Sequence, residues 1–442
     1  MNKITSLIAN TSQLSTLTDC KFQPLSKYDY LTRESVEIER ERLWSKVWLI
    51  GPRLELLKKA HDYVVEEFAG ESFIFMRGRD DLIRGFYNVC PHRGARIISN
   101  DECRGRKPSL LCLYHEWQWD CSGNVQNIPR LDCFPQLAGT DIEKDFRLKE
   151  VKVDTWGGWI WYSIDQNIEP LTDYLRPIIN FANPYETDRQ ITIDYSTIEV
   201  ECNWKVSVEN FIETYHLNPL HPQLRDWMDT EYISMEALGR HAHLIINNGS
   251  PTSKNPNMGM RMKEFLALND IDPQSYTGSP QNVRKFIQEA KRARQDEVIE
   301  PYQNLTDSQL TETHEFSIFP NITIGFMAES TLVYRHRPHP TDPGRMYIDV
   351  TRMCHFDPTT EEIPEIIFKT FKYKDDPNLT DLFEGLMPAP VIKLQLSQDL
   401  QLFASVQQGL NSRAFEGFIL GEKEKMIKHL HRELSKYIHP TE

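Results

Sequence analysis

The segment 203–222 constrains the fold and chemistry of this chain more than any other stretch. It holds one carboxylate and two imidazoles in a fixed spacing: Glu213, His216 and His221. The pattern predicts a helix over 203–217, on which residues three positions apart, such as Glu213 and His216, share a face. A continuous helix would turn His221 away from that face. Because proline lacks an N–H and disfavours helical backbone before it, Asn218-Pro219 predicts a break that brings His221 beside His216.

Two imidazoles need a third donor to hold a metal ion on one face. A late helix, predicted from Lys393 to Gly409, carries an apolar stripe: Leu396, Leu400, Phe403 and Val406. Asp399 falls on the buried side of that helix, where an unpaired carboxylate is costly, so it is expected to face an Arg or Lys partner or a bound metal. With His216 and His221 it would complete the facial triad of non-haem Fe(II) oxygenases, which leaves positions open for O₂. Two ordinary helical histidines remain the alternative.

A second set of metal ligands is indicated by a C-x-H and a C-x₂-H pattern: Cys90 with His92, and Cys112 with His115. Zinc fingers usually pair Cys with Cys and His with His. Here each half offers one thiolate and one imidazole from a turn, which suits a Rieske-type [2Fe–2S] cluster, in which two His replace two Cys on one iron. A structural zinc site remains the alternative.

The chain is predicted to contain three parts. Residues 1–44 form an N-terminal arm with a helical piece at Glu34–Trp44, residues 45–165 a small all-β domain, and residues 166–442 a mixed domain with an antiparallel sheet. In the all-β part, β-branched and aromatic runs between turn residues predict strands at Asp62–Phe68, Glu71–Arg77, Leu82–Asn88 and Trp156–Ser163. The larger part is predicted to hold strands at Gln190–Val200, Phe316–Phe326, Thr331–His336 and Met346–Cys354, and a helix at Asn282–Arg294.

Composition and charge narrow the function. The 50 basic residues are outnumbered by 64 acidic ones, which argues against nucleic acid or an anionic membrane surface as a main partner. No apolar run approaches the length needed to span a bilayer, and no signal peptide is evident, so the eight cysteines fit a reducing cytoplasm. The chain has no glycine-rich nucleotide fingerprint, so an oxygenase of this sequence would take its electrons from elsewhere.

Together these motifs resemble the α (terminal oxygenase) subunit of Rieske non-haem iron oxygenases, the ring-hydroxylating dioxygenase family. The resemblance extends over nearly the whole chain and rests on three stretches: C-P-H-R-G with C-x-Y-H-x-W, N-W-K…E-N…E-x-Y-H-x₄-H, and D…V-Q-x-G-L. It implies an α+β fold in which a small all-β Rieske [2Fe–2S] domain is followed by a helix-grip (START-like) catalytic domain. It also implies one [2Fe–2S] cluster and one Fe²⁺ per chain.

The resemblance assigns roles to individual residues. It implies that the cluster is held by Cys90, His92, Cys112 and His115. It implies that the mononuclear iron is held by His216, His221 and Asp399. Glu213 and Asn210 are the implied catalytic residues. In a head-to-tail homotrimer, Glu213 would bridge His216 to His115 of the next subunit and relay electrons and protons between the two metals.

Three positions depart from the commonest pattern of this family. Glu213 stands where many aromatic-ring dioxygenases have Asp, and Glu also occurs in relatives that oxidise quaternary ammonium compounds such as carnitine or glycine betaine. Leu113 stands where Pro is usual, and Glu116 stands where Gly is common. A carboxylate at Glu116, directly after the cluster ligand, would lower the cluster potential or bind a basic partner surface.

The sequence therefore predicts a terminal oxygenase, a mono- or dioxygenase that hydroxylates an organic substrate with O₂. Its electrons would come from a ferredoxin or an NAD(P)H-dependent reductase, and a β subunit could accompany the homotrimer. An aromatic, polycyclic or terpenoid-like substrate is the main expectation, and oxidation or demethylation of a quaternary ammonium compound is the alternative. The alternative of another class is a non-catalytic Rieske electron carrier fused to a ligand-binding domain.

Overall fold

Three β-sheets organise the protein. The computed structural model describes residues 24–224, 233–250, 259–294, 300–356, 366–380, 382 and 389–440. The first two sheets are built from residues 49–163 and the third from residues 191–372. The expected α+β fold, with an all-β part followed by a part with a largely antiparallel sheet, is confirmed.

The N-terminal part contains a large and a small sheet. Its strands are β1 Leu49–Arg53, β2 Asp62–Phe68, β3 Glu71–Arg77, β4 Ile83–Tyr87, β5 Arg104–Arg106, β6 Ser109–Leu111, β7 Gln118–Asp120, β8 Val125–Asn127, β9 Glu150–Trp156 and β10 Trp159–Ser163. The large sheet has the order β1-β10-β9-β4-β3-β2-β5, and β6-β7-β8 form the small one. The single strand expected at Trp156–Ser163 is wrong, because Gly157 and Gly158 take left-handed backbone and form the turn between β9 and β10.

The third sheet has the strand order β12-β13-β14-β15-β16-β17-β11-β18. Its strands are β11 Ile191–Val200, β12 Ser234–Leu238, β13 His241–Ile246, β14 Thr313–Ile318, β15 Ile322–Phe326, β16 Ser330–Pro338, β17 Met346–Cys354 and β18 Phe368–Lys372. All neighbours pair antiparallel except β11 with β18. One expectation fails here: Phe316–Phe326 is not one strand but parts of β14 and β15. Pro320 lies between them and has no N–H to donate to a ladder.

The α-helices are α1 Arg33–Ile38, α2 Ile142–Asp145, α3 Leu171–Tyr174, α4 Arg176–Ala182, α5 Trp204–Phe211, α6 Leu217–Leu220, α7 Met260–Ala267, α8 Val283–Ala293, α9 Asp307–Thr311, α10 Ala389–Leu410 and α11 Lys425–Ile438. A π-helical segment, Glu39–Trp44, continues α1. Helix α5 packs on β16 and on α10, which places α5 and α10 beside the third sheet.

The helix predicted over 203–217 ends earlier than expected, so the predicted break at Asn218-Pro219 is wrong. Helix α5 stops at Phe211, and Pro219 lies in the first turn of α6, where its missing N–H costs nothing. The side chain of Glu213 accepts hydrogen bonds from the N–H groups of Tyr215 and His216. Because these N–H groups bond to a side chain rather than to helical carbonyls, the chain leaves the helix and begins a new turn.

The apolar stripe of α10 also differs from the prediction at one position. Leu396, Leu400 and Phe403 are buried, but Val406 is 37% exposed. The stripe continues four rather than three residues after Phe403, at Gln407, which is buried. Its side-chain oxygen accepts a 2.9 Å hydrogen bond from the backbone N–H of Asn203, at the start of α5.

Buried ion pairs fix α5 to the N-terminal arm and to α11. Glu39 pairs with Lys205 and accepts a 2.8 Å hydrogen bond from the indole N–H of Trp204. At the next turn of α5, Glu209 accepts hydrogen bonds from Tyr30 and from His431 of α11. Since these groups are buried, their bonds fix α5 against elements from the N-terminal and the C-terminal parts of the chain. The position of α5 in turn sets where the following segment, 212–221, begins.

Arg335 links the large N-terminal sheet to the third sheet. Arg335 of β16 donates to the carbonyl oxygen of Ile50 (3.0 Å) and to Glu66 (2.7 Å) in the N-terminal part. The same guanidinium donates to Asp349 (2.7 Å) and to the hydroxyl of Tyr195 (3.2 Å) in the third sheet. The side chain is only 7% exposed, so the two sheets meet around a buried charge.

Candidate metal centres

Three side chains from different elements converge beside α5. His216 lies at the start of α6, His221 directly after it, and Asp399 in α10. Asp399 Oδ1 is 3.0 Å from His221 Nε2 and 3.7 Å from His216 Nε2. One donor atom from each residue lies within 4.8 Å of the others, a spacing that suits the ligands of a single metal ion. The three residues predicted from the sequence are therefore brought together.

Hydrogen bonds at the other ring nitrogens orient the two imidazoles. His216 Nδ1 bonds to Glu213 Oε1, and His221 Nδ1 lies 2.8 Å from Gln398 Oε1. Because both partners are acceptors, each Nδ1 carries a proton, which leaves each Nε2 as the nitrogen available to a metal ion. Gln398 was missed by the sequence analysis. Its position directly before Asp399 in α10 is the only sequence signal that points to it.

Asn210 and Glu213, the predicted catalytic residues, both lie at this site. The amide nitrogen of Asn210 is 3.4 Å from Asp399 Oδ1, so Asn210 contacts the carboxylate donor. Glu213 is 9% exposed and bonds to Nδ1 of His216, so Nε2 of the same ring stays available to a metal ion. Asn210 thus contacts one of the three donors, Asp399, and Glu213 contacts another, His216.

A cavity of about 220 Å³ opens beside the three donors. One face of the third sheet, together with Met327 directly after β15, contributes these lining residues: Leu244, Ile246, Thr313, Glu315, Gly325, Met327, Leu332 and Tyr334. The helical side supplies His216, His221 and Asp399 together with Asn210 and Phe211. The walls are mainly apolar, with few polar groups, as in small-molecule sites. A ligand in this cavity would lie directly against the donor set.

The second predicted site lies at two loops with matching backbone hydrogen bonds. In the first, Cys90 N–H donates to Ala95 O (2.8 Å) and Gly94 N–H donates to Cys90 O (3.0 Å). In the second, Cys112 N–H donates to Trp117 O (2.9 Å) and Glu116 N–H donates to Cys112 O (2.8 Å). The residue four after each cysteine has left-handed backbone, with φ of 75° at Gly94 and 59° at Glu116. Glu116 therefore occupies a conformation that favours glycine.

The side chains of these loops present paired donors. Cys90 and Cys112 are buried, and burial raises the pKa of the Cys90 thiol to about 11. The rings of His92 and His115 lie 4.6 Å apart, and His92 stacks on the buried Trp117 at 4.9 Å. His92 Nδ1 is buried and has no hydrogen-bond partner among the described residues. A buried polar atom without a partner fits a metal ligand.

The donor arrangement also separates an iron–sulfur cluster from zinc. A structural zinc site needs all four donors around one ion. Among the described residues, a group of three donors within 4.8 Å of one another is found only at His216, His221 and Asp399. Cys90, His92, Cys112 and His115 do not form such a group around one ion. Two thiolates and two imidazoles are the donor set of a Rieske-type cluster with two irons.

Comparison with protein families decides between an iron–sulfur cluster and a structural zinc site. Residues 48–141 match the Rieske [2Fe-2S] domain, and residues 185–439 match the ring hydroxylating alpha subunit (catalytic domain). The chain belongs to the ring hydroxylating alpha subunit family. A member of this family that also has a Rieske domain carries one [2Fe–2S] cluster and one mononuclear iron, so the cofactors expected from the sequence are confirmed.

Curated relatives of this alpha subunit include two groups of monooxygenases. It is 31% identical over 201 residues to the carnitine monooxygenase oxygenase subunit of Escherichia coli (strain K12), covering 45% of this chain and 52% of the relative. It is 29% identical over 201 residues to the glycine betaine monooxygenase oxygenase subunit of Pseudomonas aeruginosa (strain UCBPP-PA14), covering 44% of each chain. The match thus spans about half the length of these relatives.

Solved structures show the same fold over almost the whole alpha subunit. The quaternary ammonium Rieske monooxygenase CntA in complex with L-carnitine aligns with a TM-score of 0.64 at 20% identity, covering 94% of this chain and 95% of the other. Naphthalene 1,2-dioxygenase with indole bound aligns with a TM-score of 0.63 at 18% identity, covering 94% and 92%. In the described part of the chain, no helix is long and apolar enough to cross a membrane.

Proposed function

We propose that this alpha subunit is the oxygenase component of a multicomponent enzyme that oxidises a small organic substrate with O₂. The observation that carries the proposal is the mononuclear donor set, which opens directly into an apolar cavity. When bound, the [2Fe–2S] cluster supplies one-electron transfer and the iron supplies O₂ activation. A non-catalytic electron carrier has no need for such a donor set beside a cavity.

Each predicted ligand has a defined task in this proposal. The cluster would be held by Cys90, His92, Cys112 and His115. The iron would be held by His216, His221 and Asp399. Glu213 and Gln398 fix the tautomers of the two imidazoles, and Asn210 fixes the carboxylate of Asp399. Since these groups are already bonded to one another, the donors need little reorganisation to receive the metal.

The electron path is proposed to cross between subunits. Glu213 bonds to the imidazole of His216, and Tyr215 next to it is 66% exposed. At the other centre, Leu113 and Tyr114 before His115 are 80% and 55% exposed. These apolar side chains beside both centres suit a contact in which His115 of one subunit approaches Glu213 of the next. Four further points stay predictions: a homotrimer, an additional β subunit, an external ferredoxin or reductase, and a cytoplasmic location.

For the substrate, a quaternary ammonium compound is better supported than the aromatic or polycyclic compound that was the main expectation from the sequence. The curated relatives named above act on carnitine and glycine betaine. Phe211 and Tyr334 line the cavity, and their ring centroids lie 4.6 Å apart. Aromatic faces bind alkylated ammonium groups by cation–π attraction. The dioxygenase of naphthalene shares only the fold with this chain.

Metal content and O₂ consumption test the oxygenase proposal. The purified protein should hold three irons per chain, two in the cluster and one mononuclear, whereas an electron carrier would hold two. With a surrogate NADH-dependent reductase, O₂ uptake should rise when carnitine, glycine betaine or choline is added. A protein with two irons per chain, and no substrate-dependent O₂ uptake with these compounds or with aromatic hydrocarbons, would contradict the proposal.

A further inference from the structure

Glu315 places a carboxylate in the sheet wall of the cavity. In the strand register, Glu315 of β14 stands between Leu244 of β13 and Gly325 of β15, and Gly325 stands next to Leu332 of β16. All four residues line the cavity. Since Gly325 has no side chain and the two leucines are aliphatic, this row brings one charged group into an otherwise apolar wall. The sequence analysis did not select Glu315.

This carboxylate has no assigned task in the metal centre. Three carboxylates line the cavity: Glu213, Glu315 and Asp399. Glu213 bonds to His216, and Asp399 contacts His221 and Asn210. Among the residues that the structure describes, the side chain of Glu315 has no hydrogen-bond or ion-pair partner. Its neighbour Glu312, in contrast, is paired with Arg284.

A carboxylate in this position calls for a ligand of opposite charge. Burial, and to a lesser extent the charge of Asp399, raises the pKa of Glu315 to about 8. A neutral carboxyl group is therefore favoured while the cavity is empty, and a cation bound beside Glu315 would stabilise its ionised form. The accessible side of Glu315 faces the cavity, and a bound substrate is the group that reaches it there.

The neighbouring side chains indicate which kind of cation fits. Tyr334 and Phe211 supply aromatic faces, and Leu244 and Leu332 flank Glu315 in the sheet. A primary ammonium group would need several hydrogen-bond acceptors, whereas the row Leu244, Glu315, Gly325 and Leu332 offers one carboxyl group between aliphatic neighbours. A fully alkylated, quaternary nitrogen donates no hydrogen bonds, and its methyl groups pack against aliphatic and aromatic surfaces.

We propose that Glu315 is the specificity-determining counter-ion for an alkylated, positively charged nitrogen of the substrate. The inference rests on the proposed function only in that it places the substrate in the same cavity. Glu315 acts by charge, through space, while Phe211 and Tyr334 contact the alkyl groups. A substrate of the same shape without the positive charge should bind less tightly, because it gains no attraction to the carboxylate of Glu315.

Matched ligand pairs test this inference by binding rather than by turnover. Choline and 3,3-dimethylbutan-1-ol differ only in a positively charged nitrogen in place of a carbon, and so do glycine betaine and 3,3-dimethylbutanoate. Dissociation constants would be measured by titration calorimetry on the metal-loaded protein under anaerobic conditions. The wild-type protein should bind the cationic member of at least one pair about tenfold or more tightly, the order expected for one partly desolvated charge pair.

The isosteric variant Glu315→Gln removes the charge and keeps the shape. It should lose about tenfold or more in affinity for the cationic ligand, while affinity for the neutral partner changes less than about threefold. Glu236→Gln is the matched control: it removes the same charge from the same sheet, at a position that is exposed and bonded to His243. The control should leave both dissociation constants unchanged. The preference of the wild-type protein between pair members tests the inference even if Glu315→Gln does not fold.

The outcomes separate this inference from the oxygenase proposal. Equal binding of the two members by the wild-type protein, no measurable binding of either cation, or an equal loss of both ligands in Glu315→Gln would each overturn the role of Glu315. If substrate-dependent O₂ uptake were then found with neutral compounds, the oxygenase proposal would be supported although the role of Glu315 was overturned. Discrimination by charge, lost in Glu315→Gln, without O₂ uptake would support Glu315 and contradict the oxygenase proposal.

Discussion

The strongest test of the fold concerns Arg335, the buried charge that joins the two large sheets. Replacing it by methionine keeps most of the side-chain volume and removes four hydrogen bonds: to Ile50 O, Glu66, Asp349 and Tyr195. Asp349 keeps its second partner, because Arg337 donates to both carboxylate oxygens at 2.6 and 2.8 Å. Among the described residues Glu66 then has no ion-pair partner, so its carboxylate becomes an unpaired buried charge.

The expected loss of stability follows from this difference between Asp349, which keeps a partner, and Glu66, which does not. Breaking a buried ion pair from one side costs about 3–5 kcal/mol, since the other charge stays buried and unpaired. Arg335→Met should therefore lower the free energy of unfolding by about 3–5 kcal/mol. Adding Glu66→Gln removes the stranded charge, and the double variant should recover about 1–3 kcal/mol of the loss.

The effect should depend on pH with a defined sign. Burial raises the pKa of Glu66 even with Arg335 beside it, and removal of Arg335 raises it further. A carboxyl group whose folded-state pKa lies above its unfolded value destabilises the fold when it is ionised, so stability is lost as pH rises through the folded-state pKa. The penalty of Arg335→Met should thus be larger at pH 8 than at pH 5.

Urea unfolding followed by tryptophan fluorescence measures the change. With a slope of about 3 kcal/mol per M, the loss corresponds to a midpoint shift of about 1–1.7 M. Because a chain with two domains need not unfold in one step, the midpoint of each transition is compared rather than one overall free energy. Arg345→Met is the matched control: Arg345 is 37% exposed and pairs with Glu199, so its loss should cost about 1 kcal/mol or less. A shift for Arg335→Met no larger than for the control would refute the reasoning.

Four further predictions concern the metal centres. Cys112→Ser should abolish the visible absorption of the cluster and its EPR signal after reduction, whereas Cys103→Ser, at an exposed cysteine, should keep both. Asp399→Ala should deplete the mononuclear iron and stop turnover with the cluster spectrum intact; normal turnover would remove Asp399 from the donor set. Glu213→Gln should keep both metals but slow reoxidation of the reduced cluster in single-turnover experiments, because the bond to His216 loses its charge; an unchanged rate would leave the bridge without a role. Glu116→Gly should raise stability by about 1 kcal/mol, since it relieves left-handed backbone at a residue with a side chain; a lower unfolding midpoint would contradict this.

The cysteine and histidine pairs could be proposed as cluster ligands from the sequence because their spacing is local. Cys90 and His92, or Cys112 and His115, are presented by one short loop each, and the turn that holds them is set by residues within five positions. Strands β2 and β3 were predicted at their observed bounds for the same reason, since side-chain alternation and the turn between them are local properties. The order of these motifs along the chain was enough to identify the family.

Elements whose ends depend on side-chain bonding were predicted less well. Helix α5 ends at Phe211 because Glu213 takes up the N–H groups of the following turn, which residue periodicity does not reveal. In α10, positions three and four after Phe403 both fit an apolar stripe. Contact with α5 selects Gln407, a polar residue that the N–H of Asn203 satisfies.

The tertiary structure alone decided which distant residues serve the site. Gln398 lies 177 residues after His221 and yet fixes its tautomer, and Glu315 enters the cavity because its strand is paired between β13 and β15. Arg335 is one of many basic residues in the sequence, and only the packing of two sheets buries it between Glu66 and Asp349. Sequence patterns report the period and turns of single elements. The pairing of elements, which sets charge burial and cavity lining, arises from contacts among residues far apart in the chain.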